Sequence, residues 1–138
     1  MSPRRAPPSN ARILVVDDEA IVVEFAQRVL HTAGYHIMTA TSGDAALKLC
    51  TEQGLPDLLV TDMKMPRMEG DELALKLRKQ DPDLKVLYLT GFADLLFKNK
   101  DMLWDGEAYL EKPCTMSGLL EAVSLLLVGE VSVDPLDT

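Results

Sequence analysis

Four short apolar runs in this 138-residue chain end abruptly in charged or hydroxyl side chains. Ile13-Leu14-Val15-Val16 leads into Asp17-Asp18-Glu19, Leu58-Leu59-Val60 into Thr61-Asp62, Val86-Leu87-Tyr88-Leu89 into Thr90-Gly91, and Ala108-Tyr109-Leu110 into Glu111-Lys112-Pro113. Each has an ordinary explanation when taken alone. Asp17 or Asp18 could cap a helix, Asp62 could open a turn, Thr90 could be another cap, and Lys112 could be a solvated loop charge. Taken together they point to chemistry. If the runs are parallel strands, their carboxyl ends share one edge, which is where an open α/β sheet places its ligand crevice. Asp17, Asp18 and Asp62 gathered there repel one another unless a cation sits among them. A hard divalent ion such as Mg2+ suits that role, because it prefers carboxylate and water oxygens and commonly binds phosphate as well.

The elements that must position these groups are legible in the hydrophobic pattern. With Tyr35 to Ala40 added, the chain has five candidate strands, most of them continuously apolar, as strands covered on both faces are. Between them lie stretches with helical spacing: Ile21, Phe25 and Val29 beside Val22, Ala26 and Leu30; Ala45 and Leu49; Leu73 and Leu77; and Leu119, Val123, Leu126 and Leu127. Ser42 and Thr115 read as N-caps, while Gly34, Gly54, Pro56 and Pro82 read as stops. The stretch from Phe92 to Trp104 has no single apolar stripe and predicts a short or irregular fourth helix. Alternating strands and helices, joined by right-handed crossovers, make a three-layer α/β sandwich with one parallel sheet.

Composition narrows the function classes. The 22 acidic against 14 basic residues leave a formal charge of −8, and a phosphate backbone needs clustered Lys and Arg, so direct nucleic-acid binding is not expected. Cys50 and Cys114 have no metal or redox spacing and read as small hydrophobes in a reducing compartment, which makes the cytoplasm the expected location. No run approaches the ~20 apolar residues of a membrane span. The length suits one domain: residues 1–10 read as a disordered leader, 11–129 as the folded part and 130–138 as a flexible tail. His31 and His36 fall at a helix end and a strand start, where ordinary packing is expected.

The order of these motifs, with Asp62 followed by Met63-Lys64-Met65-Pro66 and then Gly70, resembles a response-regulator receiver domain, over roughly Arg12 to Val128. The chemotaxis regulator and the terminal receivers of hybrid histidine kinases are similar, the stretch from Pro82 to Phe92 looking most like the latter. Phosphatases of the haloacid-dehalogenase type place an Asp-x-Asp after the first strand, whereas these acids are adjacent. The resemblance implies a flavodoxin-like fold with five helices and strand order 2-1-3-4-5. It further implies that Asp62 is a phosphoacceptor, taking its phosphoryl group from a histidine kinase or a histidine phosphotransfer protein. Mg2+ would be held by Asp18 directly, Asp17 through water, Asp62 and the backbone carbonyl of Lys64. Lys112 would pair with Asp62 at rest and with the phosphoryl group afterwards, aimed by a cis bond to Pro113.

Thr90 and Tyr109 would form the switch, and the face made by the fourth helix, fifth strand and fifth helix would respond, with a second copy of the chain as one possible partner for it. Leu95, Leu96, Phe97 and Trp104 would offer it an apolar surface or belong to the core. Lys64 and Phe92 depart from the usual pattern and are expected to shield an acyl phosphate from water. Two rival functions stay open: a pseudo-receiver that docks a partner without being phosphorylated, and a small-molecule phosphate hydrolase. The second lacks a dedicated water-activating base beyond the acids already assigned, so the chain is not expected to be an enzyme.

Overall fold

The computed structural model describes residues 10–91 and 106–128. Five strands, β1 (Arg12–Val16), β2 (His36–Ala40), β3 (Leu58–Asp62), β4 (Lys85–Thr90) and β5 (Glu107–Glu111), form one parallel sheet in the order β2-β1-β3-β4-β5. The described residues hold four helices: α1 (Ala20–Thr32), α2 (Gly43–Gln53), α3 (Gly70–Arg78) and α4 (Met116–Val128). The expected helix between Phe92 and Trp104 lies outside the described residues, as do residues 1–9 of the leader and the tail.

The three central strands carry the long apolar runs because both of their faces are covered. Alternate residues of β1 separate cleanly: Leu14 and Val16 pack with Ala46 and Cys50 of α2 and Leu73 and Leu77 of α3, while Ile13 and Val15 pack with Val23, Ala26 and Leu30 of α1 and Leu119 and Val123 of α4. The outer strands β2 and β5 are only partly buried, as expected of edges that one neighbour covers.

Local signals set most of the boundaries. Ser42 Oγ accepts the Ala45 N–H at 3.1 Å and Thr115 Oγ1 accepts the Gly118 N–H at 2.9 Å, so both act as N-caps, each contributing about 1 kcal/mol. Gly34 and Gly54 leave their helices with φ of 97°, a conformation that costs other residues the strain of the left-handed region. Two apolar stripes differ from expectation. Ile21 stands 74% exposed in the first turn of α1. In α2, Ala46 and Cys50 are buried while Ala45 faces solvent, because the face that packs in the core with Leu14 and Met38 runs through Ala46 and Cys50.

Candidate functional site

The register of the sheet carries the polar strand ends to one edge. Val16 pairs with Thr61, Asp62 with Leu89, and Thr90 with Glu111, so the side chains that follow or end β1, β3, β4 and β5 arrive together. Asp62 and Thr90 belong to their strands, since the backbone ladder continues past the last apolar residue. The Lys112 N–H donates to the Thr90 carbonyl at 2.9 Å, which ties the chain after β5 to the end of β4. The bond from Lys112 to Pro113 is cis.

Asp17, Asp18 and Asp62 each offer a carboxylate oxygen, and these three oxygens lie within 4.8 Å of one another. Asp17 is fully buried and Asp62 is 6% exposed, whereas Asp18 faces solvent. Asp17 Oδ1 accepts the Glu19 N–H at 2.9 Å at the start of α1. Lys112 Nζ stands 2.9 Å from Asp17 Oδ2, 3.6 Å from Asp62 Oδ1 and 3.6 Å from Glu19 Oε1. The first contact leaves Lys112 as the one side chain that reaches Asp17 Oδ2 among the described residues. At rest, then, the ammonium lies nearer to Asp17 than to Asp62, and Glu19 is a third partner that the motif reading did not include.

Crowding shows in the acidities. Burial, with Asp17 adding its charge, pushes the Asp62 carboxyl up to about 6, and Lys112 and the Lys64 N–H only partly oppose this. Burial also raises Asp17, against the Glu19 N–H and the Lys112 charge. Lys112 loses some of its charge preference to burial, but Asp17 and Asp62 outweigh that loss and hold it above the ordinary lysine range. A pocket in which two carboxylates are driven toward protonation while a lysine is held charged is short of positive charge.

The segment after β3 brings in groups whose parts were not evident from residue types. Met63, Met65 and Met68 are buried, with Met68 packed on Gly43 of α2, and Arg67 turns the chain with φ of 69°. The Gly70 N–H then donates to the Met63 carbonyl at 2.8 Å, and α3 begins against the backbone of Asp62 itself. A Cβ at Gly70 would fall on the Asp62 carbonyl oxygen and within 3.1 Å of Thr61 Cγ2. Gly70 is therefore a contact of the site.

Thr90 is fully buried at the end of β4, and Tyr109 is 36% exposed on β5, paired in register with Tyr88. Lys64 is exposed and forms a 3.3 Å ion pair with Glu69. Phe92 lies outside the described residues. His31 and His36 are solvent-facing, not packed. Burial raises both cysteine thiols, and Cys50 packs as a core hydrophobe. No helix among the described residues is long and apolar enough to cross a membrane.

With this geometry in hand, the comparisons agree with one another. The model of the response regulator receiver domain matches residues 13–124. The response regulator receiver protein CpdR of Brucella abortus is 35% identical over 119 residues, which cover 86% of this chain and 98% of that protein. Several transcriptional regulators match over about half of their own length, or slightly more or less. Among solved structures, the receiver domain of the hybrid histidine kinase CckA superposes with a TM-score of 0.71 at 32% identity, covering 84% of this chain and 98% of that one. The Thermotoga maritima response regulator TrrA, solved in complex with Mg2+ and BeF, gives 0.73 at 35% identity with the same coverage of both chains. Fold, acidic edge and sequence likeness converge, and the chain belongs to the response regulator receiver domain family.

Proposed function

We propose that this chain accepts a phosphoryl group on Asp62 from a phosphohistidine of a histidine kinase or phosphotransfer protein, with Mg2+ bound at the acidic edge. The observation that carries this reading is the gathering of Asp17, Asp18 and Asp62 oxygens at one edge, with the Asp62 carboxyl pushed up to about 6. Both describe a pocket that needs more positive charge than Lys112 alone supplies. The oxygens of Asp17, Asp18 and Asp62 span at most 4.8 Å, close to the ~4.2 Å between opposite ligands of an octahedral Mg2+. The residues therefore fit the ion, which Asp18, Asp62 and the Lys64 carbonyl would hold directly and Asp17 through water. When bound, Mg2+ neutralises charge on the carboxylates and on the incoming phosphoryl oxygens.

The chain's own part is positioning. An Asp62 carboxylate oxygen attacks the phosphorus, the bond from phosphorus to the histidine nitrogen breaks, and the imidazole leaves and recovers a proton from solvent. Lys112, held within 3.6 Å of Asp62, turns to a phosphoryl oxygen. The Thr90 hydroxyl donates to another, and Tyr109 moves inward beside it. The phosphoryl group adds about two negative charges, which biases the face that includes β5 and α4.

Acetyl phosphate tests the reading. With Mg2+, intact-mass spectrometry is expected to show one added phosphoryl group, mapped to Asp62, and EDTA is expected to abolish it. Labelling that survives EDTA, or that maps elsewhere, sinks the proposal. Absent labelling with retained partner binding favours the docking module, and continuous phosphate release from a small phosphomonoester favours the hydrolase. The lifetime of the acyl phosphate is a separate matter. Phe92→Ala is expected to shorten it several-fold and Lys64→Ala by less, because the Lys64 side chain is drawn to Glu69 at the surface. Equal half-lives in parent and both variants remove the shielding idea.

A further inference from the structure

We propose that Met68, seated against Gly43 at the start of α2, is a positioning residue for the Lys64 carbonyl, the backbone ligand of the Mg2+ site. This rests on the reading of the acidic edge as that site.

Ligand and seat lie on one short loop. From Met63 to Glu69 the chain leaves β3 and returns to it, closed at its base by the Gly70 N–H on the Met63 carbonyl at 2.8 Å. Met63, Met65 and Met68 belong to the core cluster that holds Ala46 and Cys50 of α2. Lys64 and Glu69 close the loop on the solvent side with their 3.3 Å ion pair. Its turn is tight: the Met68 N–H donates to the Pro66 carbonyl at 2.7 Å, across Arg67 with φ of 69°. A residue other than glycine holds that conformation only where its surroundings fix it. The loop is therefore braced from several sides, and Met68 braces the arm that faces α2.

Gly43 sets where Met68 can lie. A Cβ on Gly43 would stand 2.5 Å from Met68 Sδ, 2.9 Å from its Cβ and 3.0 Å from its Cγ, so only a glycine admits the side chain this close to the α2 backbone. The sulfur can swing aside, but the Met68 Cβ moves only with the loop backbone. α2 has less freedom to yield. Ser42 caps it through the Ala45 N–H at 3.1 Å, and Ala46 is fully buried with Leu14 and Val16 of β1. The strand that leads into α2 is tied to the site as well, since the Asp17 N–H donates to the Ala40 carbonyl at 3.3 Å. The start of α2, the loop and the acids form one packed unit, and interiors packed at native density pass a displacement on rather than absorb it. Groups that orient a metal's ligands without touching the metal are worth about tenfold or more in affinity.

The test uses the full chain with Mg2+ alone as the probe, the dissociation constant being taken from calorimetry and the Lys64 carbonyl followed by carbonyl-carbon NMR. In the parent, Mg2+ is expected to shift that resonance. Gly43→Ala is expected to raise the dissociation constant about tenfold and to reduce the Lys64 shift. Met68→Ala removes the seat without adding bulk, is expected to weaken binding in the same direction, and decides the matter if Gly43→Ala does not fold. Cys50→Ala truncates the same core cluster away from the loop; it is expected to lose stability in urea while keeping the parent's Mg2+ affinity. Parental affinity in either folded variant, Gly43→Ala or Met68→Ala, overturns the proposal. So does an equal loss of affinity in Cys50→Ala, which would make the effect one of core packing alone. Mg2+ binding in the parent with an unmoved Lys64 carbonyl removes that ligand, and this proposal with it. Absent Mg2+ binding in the parent overturns the metal reading on which the proposal stands.

Discussion

Asp62→Asn is expected to lose labelling by acetyl phosphate completely and, in the absence of Mg2+, to be more stable than the parent at neutral pH. The first effect follows from the proposed nucleophile, because an amide oxygen offers no charge for attack on phosphorus. The second follows from burial. The folded-state carboxyl sits at about 6 against an ordinary 3.8. Between those values the native state holds a proton that the unfolded chain has released. Stability therefore falls as pH rises from about 3.8 to about 6 and levels off above. A neutral Asn escapes that loss, which for a shift of this size is about 3 kcal/mol. Urea unfolding at pH 3.5 and pH 7 measures it: the advantage should appear only at the higher pH. Saturating Mg2+ should reverse the ranking, since an ion at 1,000 times its dissociation constant adds about 4.1 kcal/mol to the form that binds it. A metal-free Asp62→Asn that is less stable than the parent at pH 7 would contradict the electrostatic account, whatever became of labelling.

Gly70→Ala is expected to cost about 3 kcal/mol, at the upper end for overpacking, and to slow labelling at least tenfold. The reason is space, because the new methyl group meets the backbone of Asp62 and the Thr61 side chain. No flexible side-chain end is there to yield. Either the first turn of α3 lifts, breaking the 2.8 Å bond from the Gly70 N–H to Met63, or the end of β3 moves and takes the Asp62 carboxyl with it. Both outcomes couple stability to the site. Urea unfolding together with the labelling rate decides the matter. A variant with both parental values would show that the loop absorbs the methyl group.

The strands were legible because each is a short apolar run that both faces of the sheet require. The estimated ends of β3 and β4 fell short by two residues and one residue, since hydrogen bonding extends into Thr61, Asp62 and Thr90 regardless of their polarity. The acidic edge was legible for a similar reason: side-chain chemistry stands directly after the runs, and parallel topology sends all those ends the same way. Helix faces were less secure. Ile21 fits the α1 stripe by spacing yet stands in solvent beside Phe25 and Met116, lining a groove. Periodicity says which residues share a face, and the neighbouring element decides how much of that face is covered.

By itself the sequence determined the layer architecture, the convergence of Asp17, Asp18, Asp62, Thr90 and Lys112 on one edge, and the family, because these depend on residue types and their order along the chain. Tertiary structure alone decided which partner Lys112 favours, how closely α3 presses on Asp62, and that Arg78, Glu107 and Tyr88 meet inside the protein. Those are contacts between residues distant in sequence, set to within an ångström by packing. No local pattern encodes such distances, and the acidities of the site depend on them.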